Sequence, residues 1–168
     1  MKKTKRDDSM KILVVVYSRT ETTLSVAEKI ASELQADIEV IEDKTDRKGI
    51  LSVLRSGYEA LRKEIPPIAE PKYNPSDYEL IIIGTPIWAG RMSSPVRAYL
   101  SRFRGHFQQV AFFATSAGGG HGKALAEMGE LAAAKPLATV EITSKQIKRG
   151  KEVEALEAFL ETVKSQRR

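Results

Sequence analysis

Cysteine is absent from the 168-residue chain, which removes disulfides, thiolate metal sites and thiol nucleophiles from consideration. Histidine occurs only as His106 and His121, too few for a histidine-rich metal centre. No apolar run approaches the roughly 20 residues that span a bilayer, so no membrane span is expected. The basic opening MKKTKRDDSM gives way to KILVVVYS too abruptly for a secretory signal, and a cytoplasmic location is the expectation. The formal charge of +5 invites a nucleic-acid reading. Its excess sits at the two ends, in Lys2, Lys3, Lys5 and Arg6 and in Lys164, Arg167 and Arg168. The body is left near neutral, so no nucleic-acid partner is expected.

What the chain does contain is a regular alternation. Apolar runs of strand length recur as ILVVVY (12–17), IEVI (38–41), LIIIG (80–84), VAFFAT (110–115) and ATVEI (138–142). Between them, helical spacing links Leu24, Ala27, Ile30, Ala31 and Leu34, then Ile50, Val53, Leu54, Tyr58 and Leu61. Later helical faces run through Val96, Tyr99, Leu100 and Phe103, through Leu125, Met128, Leu131 and Ala132, and through Val153, Leu156, Phe159, Leu160 and Val163. Near-continuous apolar strands alternating with helices predict an α/β fold, a three-layer α/β/α sandwich around a parallel sheet. One domain is expected over 11–164, with residues 1–10 a disordered tail and 165–168 a frayed end. The proline-rich stretch IPPIAEPKYNPSDYE (65–79) reads as a long surface connection.

In such sheets ligands gather beyond the carboxyl ends of the strands, and three loops there are chemically unusual. SRTETT (18–23) crowds Ser18, Thr20, Thr22 and Thr23 before a helix. One hydroxyl suffices for a cap; four suit an anion at a helix N-terminus, with capping plus a polar turn as the competing reading. GTPIWAGRMSSP (84–95) brackets Trp88 with Pro86 and Gly90, so Trp88 is expected in a loop. There it offers a face for a planar ring, or else covers the core edge. Ser94 is the expected N-cap of the next helix and Pro95 its first residue. TSAGGGHG (115–122) supplies three glycines for close backbone approach, or simply a flexible turn, with His121 at the start of a helix. An anion site, an aromatic platform and a backbone wall together fit a phosphorylated planar heterocycle.

These residues resemble the flavodoxin-like family of FMN-binding proteins, over nearly the whole stretch from Lys11 to Val163. YSRTETT is similar to the family's phosphate loop, GTPIWAG to its second flavin loop, and TSAGGG occupies the place of the third. The resemblance implies a five-stranded parallel sheet of order 2-1-3-4-5, with FMN where the strand order reverses. It implies that Ser18, Arg19, Thr20, Thr22 and Thr23 hold the phosphate. It implies that Thr85, Pro86, Ile87, Trp88, Ala89 and Gly90 border one side of the ring. Thr115, Ser116, Ala117, Gly118, Gly119 and Gly120 would border the other. Glu21 departs from the pattern, standing where the family has glycine. A carboxylate there repels a phosphate, and a side chain there resists positive φ. The function implied is electron transfer through FMN, to a redox partner protein. The alternatives are a small NAD(P)H-dependent reductase serving a quinone-like acceptor, and a module that has lost its flavin. The mixed surface of RSGYEALRKEIPPI (55–68) leaves a homodimer open.

Overall fold

The computed structural model describes residues 9–45 and 49–167. The expected N-terminal tail lies outside the described residues up to residue 8, as does Arg168 at the other end. The strands are β1 (Ile12–Val16), β2 (Asp37–Val40), β3 (Leu80–Trp88), β4 (Arg91–Met92), β5 (Val110–Ser116) and β6 (Thr139–Thr143). The helices are α1 (Thr22–Leu34), α2 (Ile50–Arg62), α3 (Ser94–Arg102), α4 (Gly122–Ala132), α5 (Ser144–Lys148) and α6 (Glu152–Ser165). Among the described residues no helix is long and apolar enough to cross a membrane.

Strand pairing follows the order β2-β1-β3-β5-β6, parallel throughout, while the two-residue β4 folds back antiparallel onto β3. Leaving β4 aside, the five long strands run 2-1-3-4-5, as expected. Side-chain alternation along each strand separates two cores. Leu13, Val15, Ile81, Ile83 and Phe112 pack with Tyr99 of α3 and Met128 of α4. Val14, Val16, Ile82 and Phe113 pack with Ile30 and Leu34 of α1 and Phe159 and Val163 of α6. Helices therefore cover both faces, giving three layers. Gly84 is needed by this packing: a Cβ there would stand 2.0 Å from Cζ of the buried Phe113 ring.

Four expectations are corrected. Trp88 is not in a loop: β3 continues through Thr85, Pro86 and Ile87 to Trp88, which pairs with Arg91. Pro86 is tolerated because β1 ends opposite Gly84, so no ladder bond on that side calls for its N–H. Ser93 is the N-cap of α3, with Ser94 the first helical residue and Pro95 behind it. The third concerns α2: Val53, Leu54, Tyr58 and Leu61, the apolar face traced by the helical spacing, are exposed, and Ser52, Ser56, Glu59 and Ala60 are buried instead. On α6, Val153 likewise faces out while Leu156, Phe159 and Val163 are buried.

Candidate functional site

A cleft of about 170 Å³ opens at the carboxyl ends of β1, β3 and β5. The first loop contributes Arg19, Thr20, Thr22 and Thr23 to its wall. From β3 come Pro86, Ile87 and Trp88, and from the end of β5 come Thr115, Ser116 and Ala117. Ser144, at the start of α5, completes the lining. Of the other residues singled out in the sequence, Ser18, Thr85, Ala89, Gly90, Gly118, Gly119 and Gly120 flank the cleft along the chain without lining it. A larger groove of about 700 Å³ runs between α1 and α6 and takes none of these loop residues.

At the first loop, α1 begins without a side-chain cap. Its N-cap residue is Glu21, exposed and left-handed at φ 62° and ψ −13°, the conformation that glycine takes without cost. Ser25 N–H bonds the Glu21 carbonyl at 2.8 Å, so the helix starts despite the strain. Ser18 Oγ is buried and has no hydrogen-bond partner, which is unusual for a buried hydroxyl. The Thr20 and Thr22 hydroxyls lie 3.4 Å apart. Arg19 turns toward the start of α2, its Nη2 donating to Ser52 Oγ at 2.8 Å. The Thr23 hydroxyl is committed to Thr115 Oγ1 at 2.8 Å, buried. That bond fastens the first loop to the third.

The second loop is a hairpin. Ala89 and Gly90 both take positive φ, 48° and 75°, between paired Trp88 and Arg91, the two-residue turn whose twist matches its strands. Thr85, expected at the ring, is buried and braces the hairpin's return: its hydroxyl donates to the Pro86 carbonyl at 2.8 Å and accepts Ser93 N–H at 2.9 Å. Trp88 meets Tyr17 edge-to-face, ring centroids 5.5 Å apart. The hairpin is braced from below by Glu127 of α4, which receives Arg91, Arg97 and Lys63 at 3.4, 3.2 and 3.0 Å. Burial pushes the Glu127 carboxyl up, but hydrogen bonds and charge from Lys63 and Arg97 outweigh it and hold it below the usual range.

The third loop is organised by a residue the sequence reading missed, Glu141 of β6. Its Oε1 accepts from Ser116 Oγ at 2.8 Å and lies 2.8 Å from His121 Nδ1, and its Oε2 accepts His121 N–H at 2.9 Å. Ser116 Oγ also accepts Gly119 N–H at 2.9 Å. Burial pushes the Glu141 carboxyl up; the bonds from His121 and Ser116 prevail and hold it down. His121 stands at the N-cap of α4 but does not cap it with its side chain. Its ring sits instead between loops, with Cδ2 4.0 Å from where a Cβ on Gly90 would lie. A charged residue inside an otherwise apolar strand run, ATVEI, was the signal available in the sequence.

The chemistry of this donor set suits an anion joined to a flat ring. An uncapped helix N-terminus and an orphaned buried hydroxyl lie at one end, an aromatic side chain and a glycine-rich backbone at the other. Among the described residues no three His, Asp or Glu side chains converge on a metal position.

No curated protein matches the chain. Solved structures do. A flavoprotein in complex with FMN from Lactobacillus acidophilus NCFM is 24% identical, with a TM-score of 0.67, covering 83% of this chain and 97% of that one. A protein from Bacteroides eggerthii DSM 20697 is also 24% identical, at a TM-score of 0.71 over 86% and 97%. An NADH:FMN oxidoreductase in its apo form is 16% identical, at 0.57 over 94% and 88%. At these identities the likeness is one of fold. The sequence profile of the family described as Flavodoxin matches residues 11–163, and the chain belongs to that family.

Proposed function

We propose that this flavodoxin-family chain binds FMN non-covalently in the cleft and serves as a redox protein. The observation that carries the reading is the start of α1, where no side chain caps the helix and the buried Ser18 hydroxyl has no partner. Such an end offers backbone N–H donors and a partial positive charge to a phosphate. Ser18, Thr20 and Thr22 would add hydroxyl donors, and Arg19 would add charge from the rim. Thr23 and Thr115 would act on the ligand indirectly, by fixing the loops to each other. Trp88 and the backbone of 115–120 would flank the ring. FMN, when bound, supplies one- and two-electron transfer. The chain's part is to hold, orient and shield it.

Trp88 is the chain's one tryptophan, so binding has an internal reporter. Adding FMN to the purified protein should quench Trp88 fluorescence and shift the flavin absorbance bands at micromolar concentrations. A folded protein that ignores FMN at about millimolar supply overturns the reading.

A second reading is favoured by a groove of about 570 Å³ beside the cleft. Val53, Leu54, Tyr58 and Leu61 line it, and it meets the cleft at Arg19, Ile87 and Trp88. An apolar groove next to the ring suits a small quinone-like acceptor and an NAD(P)H-dependent reductase. Stopped-flow mixing of FMN-loaded protein with NADH or NADPH separates the two. Rapid direct bleaching marks a reductase, and its absence leaves the carrier that serves a partner protein.

A further inference from the structure

Helix α2 is folded with its polar side inward. Ser52, Ser56 and Glu59 are buried, and all three are satisfied. Ser52 Oγ donates to the Gly49 carbonyl at 2.6 Å and Ser56 Oγ to the Ser52 carbonyl at 2.7 Å. Glu59 accepts from Arg55 at 2.7 Å and from Ser94 of α3 at 3.2 Å. The apolar side faces out: Leu51 is 82% exposed, Leu54 68%, Tyr58 54% and Leu61 57%, and Ile65, three residues past the helix end, is 61% exposed. With Val53, these are six of the nine exposed large apolar side chains among the described residues, five of them on α2 itself.

Within α2, positions 51, 54, 58 and 61 are spaced three, four, three. That is the seam spacing of one helix packed along another, so the cover this face fits is itself a helix with an apolar seam. At roughly 150 Å² for a fully exposed large apolar side chain, the low end of the aromatic range, the six offer on the order of 550 Å². This lies at the upper end of the ~300–600 Å² that a typical monomer exposes in one patch, and makes up the larger part of the ~800 Å² that each partner contributes to a standard interface. Charge does not oppose self-pairing at two of the basic positions, since Arg55 is held by Glu59 and Lys63 by Glu127.

We propose that the chain is a homodimer through α2, the seam of one protomer packing against the same seam of its partner. The pairing would place the partner's helix over Leu54, Tyr58 and Leu61, which also line the groove beside Trp88. The groove open in one protomer would be roofed in the pair, so the second copy would complete the wall next to the cleft.

Light scattering on the eluting full chain, without flavin, reads the proposal independently of the cofactor. The wild type should elute at twice the chain mass. The double variant Leu54→Glu/Leu61→Glu, altered only at exposed positions, should elute as a monomer with unchanged far-UV circular dichroism. Leu61→Cys in this cysteine-free chain gives one spin label per protomer, and a short-range dipolar coupling should appear between labels. A wild type that stays monomeric at about 100 micromolar overturns the proposal, whether a different protein or a small molecule covers α2. So does a dimer that survives the double variant, or a labelled pair without coupling.

Discussion

Glu21→Gly and Glu21→Gln together separate two effects at the first loop. Glu21 holds φ 62° at the N-cap of an uncapped helix and is exposed. Left-handed backbone costs a residue with a Cβ ~1–2 kcal/mol. Glycine removes that cost but adds about 0.5–1 kcal/mol of unfolded-chain freedom. The net gain for Glu21→Gly is therefore about 0.5 kcal/mol, or roughly 1–2 °C in Tm for a chain of this size. Charge acts separately. A carboxylate beside a dianionic phosphate weakens binding by roughly five-fold at low salt, and screening reduces this as salt rises. Glu21→Gln should tighten FMN binding by that factor with Tm unmoved, and Glu21→Gly should do both. Titrations by Trp88 quenching at about 20 and 500 mM salt measure the first part, thermal melts the second. Wild-type affinity for Glu21→Gln at low salt would refute the repulsion; an unchanged Tm for Glu21→Gly would refute the strain.

Gly84→Ala should destabilise the fold by about 3 kcal/mol in urea denaturation, because the added methyl meets a fully buried Phe113 ring that has no room to turn. Glu127→Gln should cost about 3 kcal/mol at neutral pH by leaving the buried Arg97 guanidinium without its carboxylate. The carboxyls of Glu127 and Glu141 are both held below their ordinary value of 4.5 in the fold. Their stabilisation is therefore full above that value and is lost as pH falls through the lower folded one. The stability deficit of Glu127→Gln should accordingly vanish over that acidic window, as followed by urea midpoints against pH. Glu141→Gln should speed amide exchange at His121 roughly ten-fold while the core strands keep their protection.

The sheet was legible because short runs such as ILVVV and LIII, alternating with amphipathic segments, read as strands buried on both faces. Strand ends were less so, since the pairing of β3 with β4 depends on a turn at Ala89, a residue that gives no turn signal. Periodicity located α2 without giving the direction of its apolar side. A repeat in sequence says that one side is apolar, not that the core is what covers it. Glu141 escaped notice because its partners stand 20 and 25 residues away, a distance only the sheet closes. The loops named as candidates do meet at one cleft. The hydroxyls of Thr23, Thr85, Thr115 and Ser116, however, are occupied by one another or by the scaffold, a division of labour that residue type alone does not disclose.

The bond between the Thr23 and Thr115 hydroxyls rivets the first turn of α1 to the end of β5, two places across the sheet from the strand that α1 follows. A guest molecule bound there, as proposed, would find both halves of its berth already aligned, so little of its attraction would be consumed in gathering them. Anything that shifts one half drags the other, and the grip on the tail and the grip on the ring would rise or fail as a pair.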